Sequence, residues 1–343
     1  MDSATAARTA PHEDRPEPRA KRRPRQKPSA WLAALLLAGV SALLGFRVAD
    51  SDGITPVPQL LAFLPWLLAP AIAALLLAAL ARWRVGLVWG VVALGGVAWF
   101  LEPYGKTDEP AGPAVAEIRV MASNVEYGRA TEGLLKAVRK EEPDLLFVPE
   151  CDYTCSDTLR DELPRSDYPY RTASEAGGAE GSVIVSKLPL KKASGLAGTL
   201  GMPGAVAELK SGHQIRVQLA HPMPPLPKQL STWRTELAEL RDYAAEGKRA
   251  KRSTIIAGDF NATQDHAAFR DILDTGGVRD AARLAGSART PSWPADLMKP
   301  LGTQIDHVLA TPDFAARDAR FLDIGDTDHR TLVVDLTLHE RKR

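Results

Sequence analysis

Three long apolar runs near the N-terminus are the strongest hydrophobic pattern in the chain. They cover residues 31–46, Leu60–Ala81 and Val85–Leu101, and none contains an ionisable side chain. A helix needs about 20 apolar residues to cross a bilayer core, with a lower limit near 17. A run with no polar face does not suit the surface helix of a soluble domain. The pattern therefore predicts three transmembrane helices, with Pro65 and Pro70 kinking the second.

The charges that flank these runs predict how the helices are oriented. Five basic residues lie within residues 21–27, just before the first run: Lys21, Arg22, Arg23, Arg25 and Lys27. Arg82 and Arg84 separate the second and third runs, whereas the loop 50–59 carries Asp50 and Asp52 but no Lys or Arg. Because basic flanks stay in the cytoplasm, the N-terminus is predicted inside the cell and everything after the third run outside. A cleaved signal peptide would explain the first run alone, and no small-residue cleavage site follows it.

From residue 117 onward, short apolar runs alternate with amphipathic stretches, as in a soluble α+β domain. The predicted strands are Ile118–Asn124, Asp144–Glu150, Gly181–Lys187, Gln214–His221, Ser253–Asn261, Thr303–Ala310 and Arg330–Leu338. The predicted helices are Thr131–Glu142, Lys228–Glu246 and Asp265–Asp274. Because the helices interrupt the strands irregularly, the pattern favours a layered α+β sandwich over a doubly wound parallel sheet.

Composition and the apolar runs together divide the chain into four parts. The chain has 343 residues and a net charge of +1. We predict a basic cytoplasmic tail expected to be disordered (1–29), a three-helix transmembrane anchor (30–101), a linker (102–113) and a soluble domain (114–343). The soluble part is close to neutral, which neither supports nor excludes a nucleic-acid substrate. No ionisable residue lies inside an apolar run, so the helices are interpreted as an anchor rather than a transporter.

Acidic, amide and imidazole side chains lie at the ends of the predicted strands. They are Asn124, Glu150, His221, Asp259, Asn261, Asp306, Asp328 and His329. Any one of them is explained more simply as a cap or turn residue. Together they favour a shared site, because buried strands do not hold unpaired carboxylates and strand ends converge at a sheet edge. Oxygen-rich ligand sets suit Mg²⁺, with Mn²⁺ or Ca²⁺ as alternatives, and histidines beside carboxylates suit proton transfer. The chemistry predicted is hydrolysis of a phosphate ester.

These motifs resemble the endonuclease/exonuclease/phosphatase superfamily, which has the DNase I-like fold. The residues that carry the resemblance are Asn124 in RVMASN, Glu150 in DLLFVPE, Gly181 and Ser186 in EGSVIVSKLPL, His221 in QLAHPMPP, GDFN at 258–261, IDHVL at 305–309 and TDHR at 327–330. They follow the order of the family across nearly the whole soluble part. The resemblance implies a four-layer α/β/β/α sandwich, here preceded by three transmembrane helices.

The resemblance also implies roles in metal binding and proton transfer. Glu150 would be the principal metal ligand, with Asn124 beside it. Asp328 would supply a second metal contact. His329 would be the general base that takes a proton from the attacking water, and Asp306 would orient its ring.

The other site residues would handle the phosphate. Asp259 and Asn261 would position the nucleophile and the phosphate, and His221 would stabilise the phosphate or protonate the leaving group. The implied function is hydrolysis of phosphodiester bonds, and nucleic acids are among the implied substrates. The enzyme would be integral to the cell membrane, with its catalytic domain outside the cell. The alternatives are a phosphomonoesterase, a phospholipid-headgroup phosphodiesterase, and a non-catalytic membrane protein with a decayed domain. Nucleic acid, lipid headgroup and small phosphoester all stay open as substrates, and no protein partner is predicted.

The cysteines and the other histidines are interpreted structurally. Cys151 and Cys155 are interpreted either as two unpaired small side chains or as one surface disulfide. A disulfide, formed in an oxidising compartment, would brace the metal ligand Glu150. His213 and His266 are interpreted as surface or turn residues. The remaining assignments are His307 as structural and His12 and His339 as terminal.

Overall fold

The computed structural model describes residues 28–298 and 301–341, so the predicted tail up to residue 27 lies outside the described residues. Its N-terminal helices are α1 (Pro28–Val48), α2 (Val57–Leu61), α3 (Leu68–Ala81) and α4 (Arg84–Leu101), with a 3-10 turn at Leu64–Leu67. Three stretches are long and apolar enough to cross a membrane: Pro28–Val48, Leu64–Ala81 and Arg84–Leu101.

The second apolar run differs from the single kinked helix predicted over Leu60–Ala81. It is divided into α2, the 3-10 turn and α3. The helical stretch that is long enough to span a membrane begins at Leu64, with the 3-10 turn. Pro58 and Pro65 lie in the first two positions of the two short helical segments. A missing N–H costs nothing at those positions, because the first N–H groups of a helix have no intrahelical partner. These prolines therefore begin helices.

The helices pack through small side chains together with large ones such as Leu37, Val40 and Val97, and other large apolar side chains are exposed. The buried small residues are Ala71, Ala74, Ala78, Gly90 and Ala93. Small residues let helix backbones approach closely, which is the usual packing of helices in a bilayer. The exposed large side chains include Leu35, Leu76, Val88 and Trp99. Such a continuous apolar exterior suits lipid better than water.

The rest of the described chain contains twelve strands and five further α-helices. The strands are β1 (Ala114–Ala122), β2 (Leu145–Pro149), β3 (Tyr170–Ser174), β4 (Ser182–Ser186), β5 (Leu190–Lys192), β6 (Gly204–Glu208), β7 (Gln214–Ala220), β8 (Ser253–Asp259), β9 (Arg279–Asp280), β10 (Asp306–Ala310), β11 (Phe314–Leu322) and β12 (Thr331–His339). The helices are α5 (Thr131–Glu141), α6 (Tyr153–Glu162), α7 (Leu230–Arg249), α8 (Ala267–Asp274) and α9 (Ala281–Leu284).

Two six-stranded mixed sheets face each other. Their strand orders are β11-β12-β1-β2-β4-β3 and β5-β6-β7-β8-β10-β9. The core between them contains Val120 and Phe147 from the first sheet and Val217, Ile255 and Val308 from the second. Helices α5 and α6 cover the outer face of the first sheet, and α7 and α8 cover the outer face of the second. The predicted four-layer α/β/β/α sandwich is confirmed.

The seven predicted strands and three predicted helices are all present, with ends shifted by up to four residues. The elements that were not predicted include β3, β5, β6, β11 and α6. Strand β11 has the sequence FAARDARFL, whose charged residues interrupt the apolar alternation. It pairs only with β12, at the edge of the first sheet. An edge strand can carry charge on its open side, so its hydrophobic pattern is weak.

The segment between α1 and α3 packs directly on the sandwich. The Asp52 carboxylate accepts hydrogen bonds from the backbone N–H groups of Ala267 (2.7 Å) and Ala268 (3.0 Å), and so caps the N-terminus of α8. Thr303 Oγ1 donates to the Ala62 carbonyl oxygen at 2.6 Å. The helical bundle and the sandwich are therefore joined by specific polar contacts.

The structure tests the predicted roles of three histidines outside the candidate site. His213 is exposed, as predicted. His307 is buried with its ring nitrogens 2.9 Å from Asp280 Oδ2 and 3.1 Å from the Ala262 carbonyl oxygen, which confirms a structural role. His266 lies in a turn closed by its N–H to the Thr263 carbonyl oxygen, which agrees with the turn alternative, but it is not at the surface. Its side chain is buried and its Nε2 lies 2.8 Å from the carbonyl oxygen of Pro58, because the segment after α1 covers it.

The cap on α8 leads to a stability prediction. Asp52→Ala removes both capping bonds, and loss of an N-cap costs about 1 kcal/mol. For a sandwich of this size that corresponds to a fall in Tm of about 2–4 °C. Thermal unfolding of the full chain in detergent measures it, with Asp108→Ala in the exposed part of the linker as the control. An unchanged Tm for Asp52→Ala would contradict the docked arrangement.

Candidate active site

The strand ends bring the predicted residues to one edge shared by the two sheets. β1 and β2 are parallel, and Asn124 and Glu150 follow their ends. β7 and β8 are also parallel, and His221 and Asp259 lie where they end. β10 runs antiparallel to β8 and begins at Asp306, which is paired with Asp259. β12 is antiparallel to β1, so the residues just before its start reach the same edge. They include Asp328 and His329.

The GDFN motif depends on its glycine and on an Asx turn. Gly258 has a φ of +143°, and a Cβ there would lie 2.3 Å from the Ala220 carbonyl oxygen, so only glycine fits. Asn261 has a φ of 47°, which asparagine tolerates. Its N–H donates to Asp259 Oδ1 at 2.8 Å, and its Nδ2 donates to the Pro222 carbonyl oxygen at 3.0 Å. The motif thereby holds the ends of β7 and β8 together.

His329 and Asp306 form a buried pair. His329 Nδ1 lies 2.9 Å from Asp306 Oδ2. The backbone N–H of Asp306 donates to Ser292 Oγ at 3.1 Å, which holds the aspartate in place. The other ring nitrogen of His329, Nε2, lies 3.7 Å from both Asp259 Oδ2 and Asp328 Oδ1. A carboxylate on Nδ1 favours the tautomer whose Nε2 is free to accept a proton.

Asn124 connects two further carboxylates. Its Nδ2 donates to Glu150 Oε1 at 3.1 Å and to Asp259 Oδ2 at 3.2 Å. Its Oδ1 accepts the backbone N–H of Glu126 at 3.0 Å, which fixes the orientation of the amide. Glu150 Oε2 accepts the N–H of Tyr127 at 3.2 Å, and Glu150 itself has a left-handed φ of 56°. Strained backbone of this kind is common where a side chain must be held for function.

Two buried polar atoms at the site have no hydrogen-bond partner among the described residues. They are Nδ1 of His221 and Oδ1 of Asp306. His221 Nε2 lies 3.6 Å from Glu150 Oε1, which is a charge contact but too long for a hydrogen bond. Buried polar atoms are normally satisfied, so unpaired ones at a shared edge indicate where water, an ion or a substrate binds.

Carboxylates and histidines shift one another's pKa values. Burial alone would lower the pKa of His329, but the charges of Asp306 and Asp259 outweigh it and raise the pKa to about 10. Burial raises the pKa of Asp259 to about 6, and the charge of Asp306 acts in the same direction. Burial would also raise the pKa of Glu150, but neighbours including His221 lower it below its ordinary value. The site holds more carboxylates than positively charged groups, so a bound cation would be stabilised there.

The donor set fits a divalent cation. Ligand atoms of Asp259, Asp306 and His329 lie within 4.8 Å of one another. The predicted metal ligands lie beside this group and not in it: Glu150, Asn124 and Asp328. In the compact group, Asp306 Oδ2 and His329 Nδ1 already bond each other, so a cation there would replace that hydrogen bond. Carboxylate oxygens are the ligands that hard divalent cations prefer.

Three neighbours of the site were not predicted. Trp293 Nε1 donates to Asp328 Oδ2 at 2.8 Å, and the backbone N–H of Asp328 donates to Glu126 Oε2 at 3.0 Å. Ser292 Oγ accepts the Asp306 N–H. Glu126 is two residues after Asn124, a proximity that could have identified it. Trp293 and Ser292 lie in a segment without a periodic pattern, and only the tertiary structure brings them to the site.

Cys151 and Cys155 are joined by a disulfide, and both are buried, so the surface interpretation is wrong. They pack in the core between the first sheet and α6. Asp152 caps that helix by accepting the Cys155 N–H at 2.9 Å. A Cβ on Gly181 would lie 2.2 Å from the Cys151 carbonyl oxygen, which accounts for the glycine. The bridge closes the segment that directly follows Glu150.

Residues 121–329 match the family model described as the endonuclease/exonuclease/phosphatase family. The chain belongs to this family, which makes it a phosphoric ester hydrolase that depends on a divalent metal. No curated protein sequence matches the chain.

Several solved structures share the fold. The human nocturnin catalytic domain with bound sulfate superposes with a TM-score of 0.53 at 19% identity, covering 66% of this chain and 96% of that one. An endonuclease/exonuclease/phosphatase from Bacteroides vulgatus has a TM-score of 0.53 at 16% identity, covering 66% and 100%. D. rerio TDP2 complexed with a single-stranded DNA product has a TM-score of 0.53 at 15% identity, covering 65% and 99%. At these identities the similarity establishes the fold alone.

The Asp306–His329 pair leads to a prediction about pH. A base must be deprotonated to act, so activity should rise as pH increases through the pKa of His329. Asp306→Asn removes a charge that raises this pKa, so the rising limb should move to lower pH. The maximal rate should also fall, on the order of 10³-fold, because the ring loses its orienting carboxylate.

The measurement is a pH–rate profile with a soluble phosphodiester. The matched control is Asp161→Asn, at an exposed position on α6. A rising limb that stays in place, or moves to higher pH, would contradict the role of Asp306.

Proposed function

We propose that the chain is a membrane-anchored enzyme that hydrolyses phosphodiester bonds outside the cytoplasm with a divalent cation, Mg²⁺ first, with Mn²⁺ or Ca²⁺ as alternatives. One observation carries this proposal. The continuous set of contacts from Asp306 and His329 through Asp259 and Asn124 to Glu150 combines a base, its orienting carboxylate and an oxygen-rich group. This is the arrangement that activation of water beside a cation requires.

In this proposal Glu150 is the principal metal ligand, and Asn124 and Asp328 lie next to the cation. The Asn124 amide would have to turn, because its Oδ1 now accepts the N–H of Glu126. When bound, the cation stabilises negative charge that develops on the phosphate oxygens. A cation near Glu150 and Asp328 also opposes the charges that raise the pKa of His329, which favours the neutral ring.

His329 then accepts a proton at Nε2 from the attacking water while Asp306 holds Nδ1. Asp259 lies 3.7 Å from the same Nε2 and, together with Asn261, positions the water and the phosphate. His221 is buried with an unpaired Nδ1, so it can donate to a phosphate oxygen or to the leaving group. All of these side chains are present, which argues against a decayed, non-catalytic domain.

The membrane part of the proposal divides the chain into a basic cytoplasmic tail (1–29), an anchor (30–101), a linker (102–113) and a catalytic domain (114–343). Three stretches are long enough to span, and the positive flanks favour an inside N-terminus. The bridge between Cys151 and Cys155 adds support, since disulfides persist in oxidising compartments.

A first test compares activity and metal binding in full-length protein kept in detergent. Hydrolysis of bis(p-nitrophenyl) phosphate should require Mg²⁺, Mn²⁺ or Ca²⁺ and should stop on addition of EDTA. Glu150→Gln should lower kcat/KM on the order of 10²–10³-fold and weaken metal activation, because the strongest ligand charge is lost. Glu239→Gln, at an exposed position on α7, is the control.

The same assay distinguishes the two candidate cation positions. If the cation lies at Glu150, Glu150→Gln should raise the metal concentration needed for half-activation more than Asp306→Asn does. The reverse order would assign the cation to Asp259, Asp306 and His329. Activity that survives EDTA and Glu150→Gln would exclude a metal mechanism.

A second test addresses topology. Protease added to intact cells should cleave exposed loops after residue 114, and it should spare a tag placed at the N-terminus. Without reductant, Cys151 and Cys155 should resist alkylation, since both thiols are bridged. A soluble-domain fragment that is protected until the membrane is permeabilised would overturn the proposed orientation.

A further inference from the structure

The helical bundle docks on the same edge of the sandwich that carries the candidate active site. Its contacts fall on the loop after β7, the first turns of α7, the turn from β8 into α8, and the loop before β10. The sandwich residues in these contacts are Pro225, Arg234, His266, Trp293 and Thr303. These loops follow or precede His221, Asp259 and Asp306. The catalytic edge therefore faces the spanning helices.

A short set of contacts joins the site to the start of a spanning stretch. The stretch Leu64–Ala81, which is long enough to span a membrane, begins at Leu64. The ring of the preceding residue, Phe63, lies 6.4 Å from the ring of Trp293 between centroids. Trp293 in turn donates to Asp328 at 2.8 Å. Trp293 is thus the one side chain in this set of contacts between the Asp328 carboxylate and Phe63. Headgroup regions extend roughly 5–8 Å beyond the hydrocarbon core, so the site lies close to headgroup depth.

The linker holds the sandwich in this orientation. Tyr104, just after α4, donates its hydroxyl to Asp274 at the end of α8, at 2.6 Å. Further along, the Gly112 carbonyl oxygen lies 2.8 Å from His339 Nδ1, at the end of β12. That end of the sheet is opposite to the catalytic edge, because β12 begins beside the site. The linker therefore runs the length of the sandwich and leaves the catalytic edge on the bundle side.

Exposed apolar side chains lie on the same loops. Leu226 follows Pro225, whose carbonyl oxygen contacts Gln59 of the bundle segment. Leu297 and Met298 are exposed in the loop that holds Trp293, and Met298 is 76% exposed. Leu226 thus lies next to a contact with the bundle segment, and Leu297 and Met298 lie in the same loop as Trp293, which donates to Asp328. On a bilayer they would enter the interface, where each buried side chain contributes favourably.

We propose that the substrate is a lipid phosphodiester in the outer leaflet, which enters the site without leaving the membrane. This inference rests on the proposed function. The oxygen of water forms a bond to phosphorus while one P–O ester bond breaks. His329 takes the proton of the water, and His221 donates a proton to the leaving oxygen. The products are a phosphomonoester and an alcohol, one of which remains in the membrane. The soluble part is close to neutral in net charge, so its charge does not favour a nucleic-acid strand over a lipid.

The test uses the full chain reconstituted in vesicles of phosphatidylcholine, phosphatidylethanolamine, phosphatidylglycerol and cardiolipin. Four phosphodiesters are compared: the vesicle lipids, monomeric dihexanoyl-phosphatidylcholine, a single-stranded oligonucleotide and bis(p-nitrophenyl) phosphate. We expect turnover of vesicle lipid that is lost in Glu150→Gln. Its rate should exceed that of the short-chain lipid and of the oligonucleotide at least tenfold.

Variants test the exposed apolar side chains of these loops. The double variant Leu226→Ser, Met298→Ser should lower the ratio of vesicle-lipid to bis(p-nitrophenyl) phosphate hydrolysis at least fivefold. Tyr170→Ser is the control, because Tyr170 is an exposed aromatic residue on β3, at the far edge of the first sheet. Its ratio should match that of the unmodified chain.

The outcomes separate the two proposals. Glu150-dependent hydrolysis of bis(p-nitrophenyl) phosphate without lipid turnover, or with faster oligonucleotide cleavage, overturns the lipid inference and leaves the proposed function in place. An unchanged ratio in the double variant also overturns the inference. Failure to hydrolyse all four compounds with every metal overturns the proposed function itself.

Discussion

Negative charge buried at the joint edge of two sheets is the constraint on which the site depends. An unpaired buried carboxylate costs several kcal/mol, so each one here has a dedicated partner. Asp306 pairs with His329, the Asn124 amide bridges Glu150 and Asp259, and Trp293 donates to Asp328. The negative charge that still exceeds the available cations is what makes the site suitable for a divalent ion.

The same constraint explains why the bundle matters to the site. Trp293 can hold Asp328 only if its own loop is held. That loop is fixed on one side by Ser292, which accepts the Asp306 N–H, and on the other by Phe63 and the Ala62 carbonyl oxygen. The helices thus support the catalytic edge as well as contacting it. In this structure the segment between α1 and α3 and the candidate site form one packed unit.

Prediction from the sequence was most successful where the local pattern is strong. The seven strands share long apolar runs, and their polar ends identified Asn124, Glu150, His221, Asp259 and Asp306, although Glu126, Ser292 and Trp293 at the same edge were not predicted. It missed β11, whose charges obscure the alternation, and it assigned His266 to the surface or a turn without showing that the ring is buried. No local pattern shows that a loop 200 residues earlier in the chain covers that ring through Pro58. The buried bridge between Cys151 and Cys155 was left open for the same reason, since spacing does not report burial.

The sequence by itself determined the apolar stretches, the sandwich strands and the chemical types available at their ends, because hydropathy and residue chemistry are local properties. Which atoms face each other was decided by the tertiary structure. The antiparallel pairing of β10 with β8 and of β12 with β1 brings Asp306 and His329 to one edge. The docking of the segment after α1 turns that edge toward the helices. Both depend on contacts between residues far apart in the chain, and a one-dimensional pattern does not encode their geometry.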